Sequence, residues 1–217
     1  MNITGGSVSA KMGEVALSNL GVLFFDELPH FSKSVLEALR EPLEDNKILI
    51  SRVNSKILYE TKFVFIGAMN PCSCGNLLSS VKECRCNELE IQRYKNRLSE
   101  PFLDRMDLYV VMNDSFSDNK NIVSSKELHE SVIKAFIKQK KRGQKELNGK
   151  LNEEDIKKYC ILDDEAKQIL EKARLNYQLS FRSINKVLKV SRTIADLNDN
   201  EIITKNDILK SLNFRRR

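Results

Sequence analysis

Several features are missing from this sequence, and each absence excludes a class of protein. No apolar run approaches the roughly 20 residues that a membrane-spanning helix needs, and the N-terminus lacks the basic-then-apolar pattern of a secretory signal. No internal repeat and no low-complexity tract is present. With 30% charged residues, the 217-residue chain is therefore predicted to be a soluble, cytoplasmic protein of one large or two small domains without a membrane partner.

The sequence also has few cysteines and histidines and only a small net charge. Five cysteines in a cytoplasmic protein favour metal binding or buried thiols over disulfides. The two histidines, His30 and His129, have no partner at a metal-binding spacing, so we assign them no chemistry. The net charge of +6, from 36 basic and 30 acidic residues, suits a polyanionic partner such as DNA but does not identify one.

A phosphate-binding loop is absent as well. The pattern G-x-x-x-x-G-K-[ST] fits none of the eight glycines: Gly143 is followed by Gln144, and Gly149 by Lys150 and Leu151 without a hydroxyl residue. Residues 1–20 contain Gly5, Gly6 and Gly13 and precede the first strongly apolar run. No buried strand is predicted before that run.

The most informative stretch is an apolar run that ends in two carboxylates. Val22 to Phe25 are continuously apolar, which predicts a strand covered on both faces of a parallel sheet. Asp26 and Glu27 follow at its carboxyl end, where α/β sheets bind ligands, so Asp26 would hold Mg²⁺ and Glu27 a water molecule. The alternative is a core strand followed by an acidic helix start. Ser34 and Glu37 then have the spacing of a capping box.

A second apolar run, Phe63 to Ala68, ends close to Asn70. An amide at the end of a strand beside Asp26 and Glu27 could orient a water molecule against a terminal phosphate. Asn70 stands before Pro71, however, and by itself this pair indicates only a turn.

Four cysteines follow in two tight pairs. Cys72 and Cys74 are separated from Cys84 and Cys86 by a short loop, which satisfies the ligand count of a tetrahedral zinc site. The spacing C-x-C is tighter than the usual C-x-x-C, so unmetallated surface thiols remain the alternative.

Two further segments carry basic candidates. Lys47 to Tyr59 predicts a β-hairpin with Arg52 and Lys56 at its tip, and solvated surface charges are the alternative to DNA contacts. Arg105 ends a short helix that begins near Pro101, and a structural salt bridge is its default interpretation.

The remainder is predicted to be mostly helical. Tyr109 to Met112 predicts a third strand, and Asn113 to Asn121 a linker rich in Asn, Asp and Ser. Ser180 caps a helix whose first turn contains Arg182, which could face an anion. The helices are predicted over 124–141, from 152, and over 163–177, 181–197 and 204–212.

Taken in order, these segments resemble the Mg-chelatase-like branch of AAA+ ATPases, and most closely its ComM (YifB) family. The stretches that carry the resemblance are Gly13-Glu-Val-Ala-Leu-Ser-Asn-Leu-Gly-Val-Leu-Phe-Phe-Asp-Glu-Leu, Leu39-Arg-Glu-Pro-Leu-Glu, Ala68-Met-Asn-Pro-Cys-Ser-Cys-Gly, Arg97-Leu-Ser-Glu-Pro-Phe-Leu-Asp-Arg-Met-Asp-Leu and Val190-Ser-Arg-Thr-Ile-Ala-Asp-Leu. They span nearly the whole chain, and their common order makes coincidence an unsatisfactory explanation.

The resemblance implies an α/β fold and a set of roles. Residues 1–112 would form a partial AAA+ parallel sheet of the P-loop NTPase type with flanking helices and a β-hairpin insert, and residues 122–217 an all-α lid domain after the linker. ATP, Mg²⁺ and DNA would be bound by a homo-oligomeric ring, an ATP-driven DNA translocase or branch-migration motor linked to competence and recombination, and Zn²⁺ would be bound by the cysteines. The implied residues are Asp26 and Glu27 as the Walker B pair, Asn70 as sensor 1, Arg105 as the arginine finger, Arg182 as sensor 2, and Arg52 and Lys56 in the pore hairpin.

The sequence departs from this family in one large respect. Members carry an N-terminal Lon protease-like domain and a P-loop, so we expect a C-terminal portion that is inactive alone. The family's strand order, 5-1-4-3-2, predicts a gap between the strands at Tyr109 and Phe63. Two other hypotheses remain open: a non-enzymatic, zinc-stabilised DNA or protein interaction module, and a metal-chelatase-type motor subunit, against which the paired cysteines and Ile194-Ala-Asp-Leu argue.

Overall fold

The computed structural model describes residues 3, 5, 12–52, 55–112 and 123–215, which divide into two compact units. The sheet unit comprises Met1–Met106 with Met112–Ser115, and the helical unit comprises Asp107–Val111 with Phe116–Arg217. The predicted linker at 113–121 lies outside the described residues. Among the residues that are described, no helix combines the length and the apolar character needed to cross a bilayer.

The sheet unit mixes short strands and short helices. Its elements are α1 (Glu14–Leu17), β1 (Val22–Phe25), a 3-10 turn (Leu28–His30), α2 (Lys33–Ala38), α3 (Arg40–Asp45), β2 (Lys47–Arg52), β3 (Ser55–Glu60), β4 (Val64–Gly67), α4 (Glu88–Lys95) and α5 (Glu100–Leu103). Strands β1 and β4 pair in parallel, with Val22 opposite Val64 and Phe25 opposite Gly67. Strands β2 and β3 form the predicted antiparallel hairpin.

One face of the β1–β4 pair packs on an aromatic core. The ring of Phe25 stacks on Phe31 at 4.2 Å between centroids and meets Phe65 edge-on at 5.5 Å. Phe65 in turn meets Phe102 edge-on at 6.1 Å, and Phe102 is fully buried. These contacts cover one face of the β1–β4 pair with aromatic rings.

The prediction that β1 is covered on both faces is wrong. Leu23 and Phe25 are buried, but Val22 and Phe24 are 58% and 57% exposed. On β4, Val64 is 60% exposed. Successive side chains point to opposite faces of a strand, and the described residues cover only one of them.

Two other local predictions are wrong. Residues 109–112 are not a strand, because the Tyr109 N–H donates to the carbonyl of Phe214 at 2.8 Å instead of entering a ladder. Helix α2 is capped by Ser32, whose Oγ accepts from the Val35 N–H, and not by Ser34. Glu37, the expected partner of that box, instead pairs with Arg40 at 2.6 Å.

The helical unit matches the predicted helices closely. It contains α6 (Ser125–Lys141), a 3-10 turn (Asn148–Lys150), α7 (Glu153–Tyr159), α8 (Asp164–Asn176), α9 (Phe181–Leu197) and α10 (Lys205–Asn213). Ser124, Asn152, Asp163 and Ser180 cap α6 to α9 through side-chain oxygens, as their residue types favour. A core of Leu151, Ile156, Tyr159, Cys160, Ala166, Val187, Ala195, Ile203 and Ile208 joins these helices.

Candidate functional site

The carboxyl ends of β1 and β4 lie side by side. The Ala68 N–H donates to the Phe25 carbonyl at 2.8 Å, and the Leu28 N–H donates to the Ala68 carbonyl at 2.9 Å. Asp26 and Glu27 occupy the backbone between these two bonds, and Asn70 lies three residues beyond Gly67, the end of β4. The two carboxylates and the amide therefore follow adjacent strand ends, at the edge where parallel sheets bind ligands.

Glu27 has an unusual backbone conformation. Its φ of 51° and ψ of 48° lie in the left-handed region, which a side chain with a Cβ adopts at a cost of about 1 kcal/mol or more. The Glu27 N–H donates to Asp26 Oδ1 at 2.9 Å, which holds the two residues together. Backbone strain of this kind is concentrated at functional sites.

His30 contacts the same carboxylate. Its Nδ1 lies 2.9 Å from Glu27 Oε2, although both side chains are more than half exposed. Sequence reasoning assigned His30 no chemistry because it looked for metal-ligand spacing. The i, i+3 separation from Glu27 was the signal that could have found the contact.

The oxygen atoms of Asp26 and Glu27 fit a hard divalent cation. Mg²⁺ prefers carboxylates together with phosphate oxygens and water, and both residues are exposed at the strand ends. Asp26 is the better candidate ligand, since Glu27 is oriented by His30. The sheet edge can therefore hold Mg²⁺ and orient a water molecule, which is the chemistry of nucleotide hydrolysis.

Tyr94 is a buried residue of α4 that sequence reasoning did not assign to the site. Its side chain is 5% exposed. Burial raises the pKa of Tyr94, a backbone hydrogen bond from Asn70 and the charge of Arg97 oppose this, and electrostatic repulsion from Cys72 and Glu27 raises it further.

The four paired cysteines converge. Their Sγ atoms all lie within 4.8 Å of one another. Cys72 Sγ is 3.4 Å from Cys74 Sγ and 3.7 Å from Cys84 Sγ, and Cys74 Sγ is also 3.7 Å from Cys84 Sγ. A tetrahedron with zinc–sulfur bonds of about 2.3 Å has edges of about 3.8 Å, so the cluster fits a structural Zn²⁺ site.

The pKa values of the thiols also favour a cation. Backbone N–H groups of Asn76 and Arg85 lower the pKa of Cys74 to about 6, which makes it a thiolate at neutral pH. A backbone hydrogen bond from Cys86 lowers the pKa of Cys84, but burial and the Cys74 and Cys72 thiols outweigh it and raise that pKa to about 12. A bound cation would relieve this repulsion and allow every ligand to ionise.

Arg105 makes a structural ion pair. Its Nη2 lies 2.6 Å from Glu44 Oε2, and its Nη1 donates to the Pro101 carbonyl. The Arg105 side chain is only 12% exposed, and its Nε is buried without a partner among the described residues. Glu44 lies in α3, so the contact ties the α5 end to that helix.

The remaining candidates lie on other elements of the chain. Arg52 ends β2, and its side chain lies outside the described part; Lys56 is exposed on β3. Arg182 is half-buried in the first turn of α9, within the helical unit.

The helical unit contains a buried charge cluster that sequence reasoning did not assign. Arg192 is fully buried, and its Nη2 lies 2.9 Å from Asp196 Oδ1. Arg192 also donates to the carbonyls of Glu201 and Asn200 at 2.8 and 2.7 Å, while Arg142 pairs with Asp196. The i, i+4 spacing of Arg192 and Asp196 was the available signal.

Comparison with known proteins gives matches over both units. The family model described as "Magnesium chelatase, subunit ChlI" matches residues 1–120, and the one described as "Magnesium chelatase, subunit ChlI C-terminal" matches residues 123–215. The chain is 39% identical to competence protein ComM of Haemophilus influenzae and 38% identical to YifB of Escherichia coli, in each case over 98% of its own length. A shorter match, 41% identical over 51% of the chain, is to the Mycobacterium tuberculosis protein Rv2897c.

These relatives are longer than the chain, which spans 42% of the length of ComM and of YifB. The two family models meet close to the junction between the sheet-forming and the helical elements. The chain therefore belongs to the ComM/YifB family of magnesium chelatase-like proteins.

Proposed function

We propose that this chain supplies the hydrolytic edge and the lid of an ATP-driven motor that moves on DNA. The observation that carries the proposal is the adjacency of the β1 and β4 ends, after which Asp26, Glu27 and Asn70 follow. The left-handed backbone at Glu27 supports it, because a strained conformation there has no evident structural benefit.

Each residue has a defined task in this proposal. Asp26 holds Mg²⁺, Glu27 accepts the proton of the attacking water, and Asn70 orients that water against the terminal phosphate. Bound Mg²⁺ supplies charge neutralisation on the phosphate oxygens. The phosphate cradle has to come from outside this sequence, which contains no G-x-x-x-x-G-K-[ST].

The wider assembly is also part of the proposal. Arg105 reaches the nucleotide of a neighbouring subunit in a homo-oligomeric ring, and Arg182 contacts nucleotide from the lid, residues 122–217. Arg52 and Lys56 bring the β2–β3 hairpin to DNA phosphates. The relative named competence protein ComM supports a link of this motor to competence, and we extend the proposal to recombination.

The test replaces the matching segment of Haemophilus influenzae ComM by these 217 residues. The chimera is expected to hydrolyse ATP, and Glu27→Gln is expected to lower kcat by about 100-fold or more while ATP binding persists, because the general base is lost. Steady-state hydrolysis and nucleotide titration measure the two effects.

Glu41→Gln is the matched control, since Glu41 is an exposed carboxylate of α3 beyond the sheet edge. Its kcat should equal that of the parent chimera. Unchanged hydrolysis in Glu27→Gln, or a folded chimera without any hydrolysis, contradicts the proposal.

The DNA contact has its own test. Lys56→Glu combined with Arg52→Glu should weaken DNA binding and reduce the dependence of affinity on salt concentration, because fewer counterions are released. Fluorescence titrations at several salt concentrations measure both. Equal affinity and equal salt dependence would remove the hairpin from the DNA interface.

A second candidate function rests on the cysteine cluster. Its tetrahedral spacing favours a zinc-stabilised interaction module in which the carboxylates and Arg105 form only ion pairs, and the Arg105–Glu44 contact is of that kind. A metal-insertion motor is a third candidate, suggested by the description of the matched family as magnesium chelatase. Zinc binding without ATP hydrolysis in the chimera would favour the module.

A further inference from the structure

One end of the helical unit contains an open cavity of about 610 Å³. Its wall is formed by the end of α6, the end of α7 and the turn that follows α9, all of which belong to the helical unit. This volume lies within the range of about 300–1,000 Å³ that is usual for ligand sites. The charged side chains that line the cavity are Lys138, Lys141, Arg142, Lys158, Asp199 and Glu201.

Some of these charges are neutralised by partners. Lys138 pairs with Asp199, so these two charges cancel. Arg142 pairs with Asp196, but the same carboxylate also pairs with the buried Arg192. One positive charge of this group of three is therefore left over beside the cavity.

The other charges are not neutralised in this way. Lys141, Lys158 and Glu201 take part in no ion pair among the residues that the structure describes. Together with the charge left over at Arg142, they give the cavity a net excess of two positive charges. The cavity therefore favours an anionic ligand.

The two unpaired ammonium groups fit a phosphate group. Lys158 Nζ lies 5.0 Å from the centroid of the Tyr159 ring, a contact that gives the ammonium a preferred position at the cavity. Lys141 is exposed at the end of α6. Ammonium groups bind phosphate as point charges and do not distinguish one base from another.

Positive charge continues outside the cavity along the same helices. Lys134 and Lys140 lie on α6, Lys145 follows its end, and Lys157 lies next to Lys158 on α7; all four of these outer lysines are exposed. A single nucleotide would contact only the cavity, whereas a nucleic-acid strand presents a row of phosphates that can follow such a track. The distribution of charge therefore favours a strand.

The cavity is distant from Arg182, the residue proposed to contact ATP from the lid. Arg182 is the second residue of α9, and Asp199 lies just beyond the other end of that helix, Leu197. At a rise of 1.5 Å per residue, the helix between Arg182 and Leu197 is about 22 Å long. The cavity is therefore a second anion site and not an extension of the first.

We propose that this cavity binds the phosphate backbone of a nucleic-acid strand, with Lys141 and Lys158 as the phosphate contacts. Lys138 and Arg142 keep their carboxylate partners and form the wall between them. The site adds a nucleic-acid contact in the lid to the one proposed at the β2–β3 hairpin. It requires neither ATP hydrolysis nor the hairpin contact.

The experiment measures binding of the full 217-residue chain to a labelled single-stranded oligodeoxythymidylate by fluorescence anisotropy at several salt concentrations. Lys141→Gln combined with Lys158→Gln should weaken binding at low salt by at least about 5-fold. The slope of log affinity against log salt concentration should become less steep by about 1.4, because each phosphate contact on a single strand contributes about 0.7.

Two further variants make the result specific to the cavity. Lys172→Gln combined with Lys210→Gln removes the same net charge from exposed positions of α8 and α10, and should change the affinity by less than about 2-fold. Glu201→Gln removes a negative charge from the cavity and should strengthen binding by about 2-fold.

Four results would overturn the proposal. The first is a parent chain that does not bind the oligonucleotide at low salt, and the second is equal affinity and slope in the cavity variant and the α8–α10 control. The third is a fall in ATP affinity of the cavity variant with unchanged oligonucleotide affinity, which would assign the cavity to a nucleotide. The fourth is a lower melting temperature with unchanged oligonucleotide affinity, since Lys141 and Lys158 would then only stabilise the helix ends.

This test is independent of the proposed function. A chimera that folds without hydrolysing ATP would reject the proposed function and leave the oligonucleotide affinity of the 217-residue chain unchanged. Loss of the hairpin contact would likewise leave the effect of the Lys141 and Lys158 substitutions in place.

Discussion

The two units of the chain differ in where they place their charged side chains. In the helical unit even charged residues are buried with partners: Arg192 and Asp196 pair with each other, and Asp207 accepts from Thr204, Asn198 and Asn200. In the sheet unit, Val22 and Phe24 of β1 remain exposed beside the exposed carboxylates.

This difference shows where stability and chemistry reside. The helical unit uses its polar groups for folding, and the buried hydrogen bonds among Arg192, Asp196 and their neighbours make its core specific. The sheet unit keeps Asp26, Glu27 and Asn70 accessible and tolerates a left-handed Glu27. Exposed reactive groups and local strain are what the proposed hydrolytic edge requires, and they lower the stability of the unit that carries them.

The largest loss of stability is expected for Arg192→Ala, a substitution in the buried charge cluster of the helical unit. The substitution leaves two carbonyls and part of a carboxylate buried without donors, so the helical unit should lose about 4 kcal/mol. Hydrogen exchange measured by mass spectrometry reports the two units separately. Arg174→Ala, which removes an exposed ion pair with Glu171, should have no measurable effect.

A matched pair on β1 tests the one-sided sheet. Phe25→Ala removes a buried ring from the aromatic core and should cost the sheet unit about 3 kcal/mol. Phe24→Ala makes the same chemical change on the exposed face and should cost about 0.5 kcal/mol. Urea denaturation of both variants gives the difference, and equal losses would mean that both faces are covered in solution.

Glu44→Ala tests whether the sheet unit has a buried ion pair of its own. Arg105 would keep its desolvated guanidinium without the carboxylate at 2.6 Å, which should cost about 1–2 kcal/mol. Glu44→Gln retains an acceptor and should recover about half of the loss. A thermal melt that is unchanged in Glu44→Ala would show that the contact contributes nothing to stability.

The smallest expected change in stability occurs only at acid pH and results from a substitution of Asp207. Burial raises the pKa of Asp207, but hydrogen bonds from Thr204, Asn198 and Asn200 outweigh it and hold this pKa below its ordinary value. A carboxyl group whose pKa is lower in the folded than in the unfolded protein stabilises the folded state. This stabilisation is fully present above the unfolded-state pKa, about 3.9, and is lost as the pH falls through the folded-state pKa. Asp207→Asn should therefore flatten the loss of helical-unit stability below about pH 4, as measured by urea denaturation at several pH values.

Local signals predicted much of the fold. The bounds of α9 and its cap at Ser180 follow from residue types a few positions apart, because helix ends are set by nearby side chains. The run at Val22 also gave β1 correctly. The burial of its two faces could not be predicted, since burial depends on residues distant in sequence that pack against them.

For the candidate site, the sequence by itself determined which side chains are available: carboxylates after β1, an amide after β4 and two pairs of cysteines. It also determined the family, because the order of motifs is a property of the chain. Only the tertiary structure decided that the two strands are neighbours and that four Sγ atoms lie within 4.8 Å of one another. Such contacts join residues up to 42 positions apart, Val22 opposite Val64 for example, and depend on the packing of the whole unit.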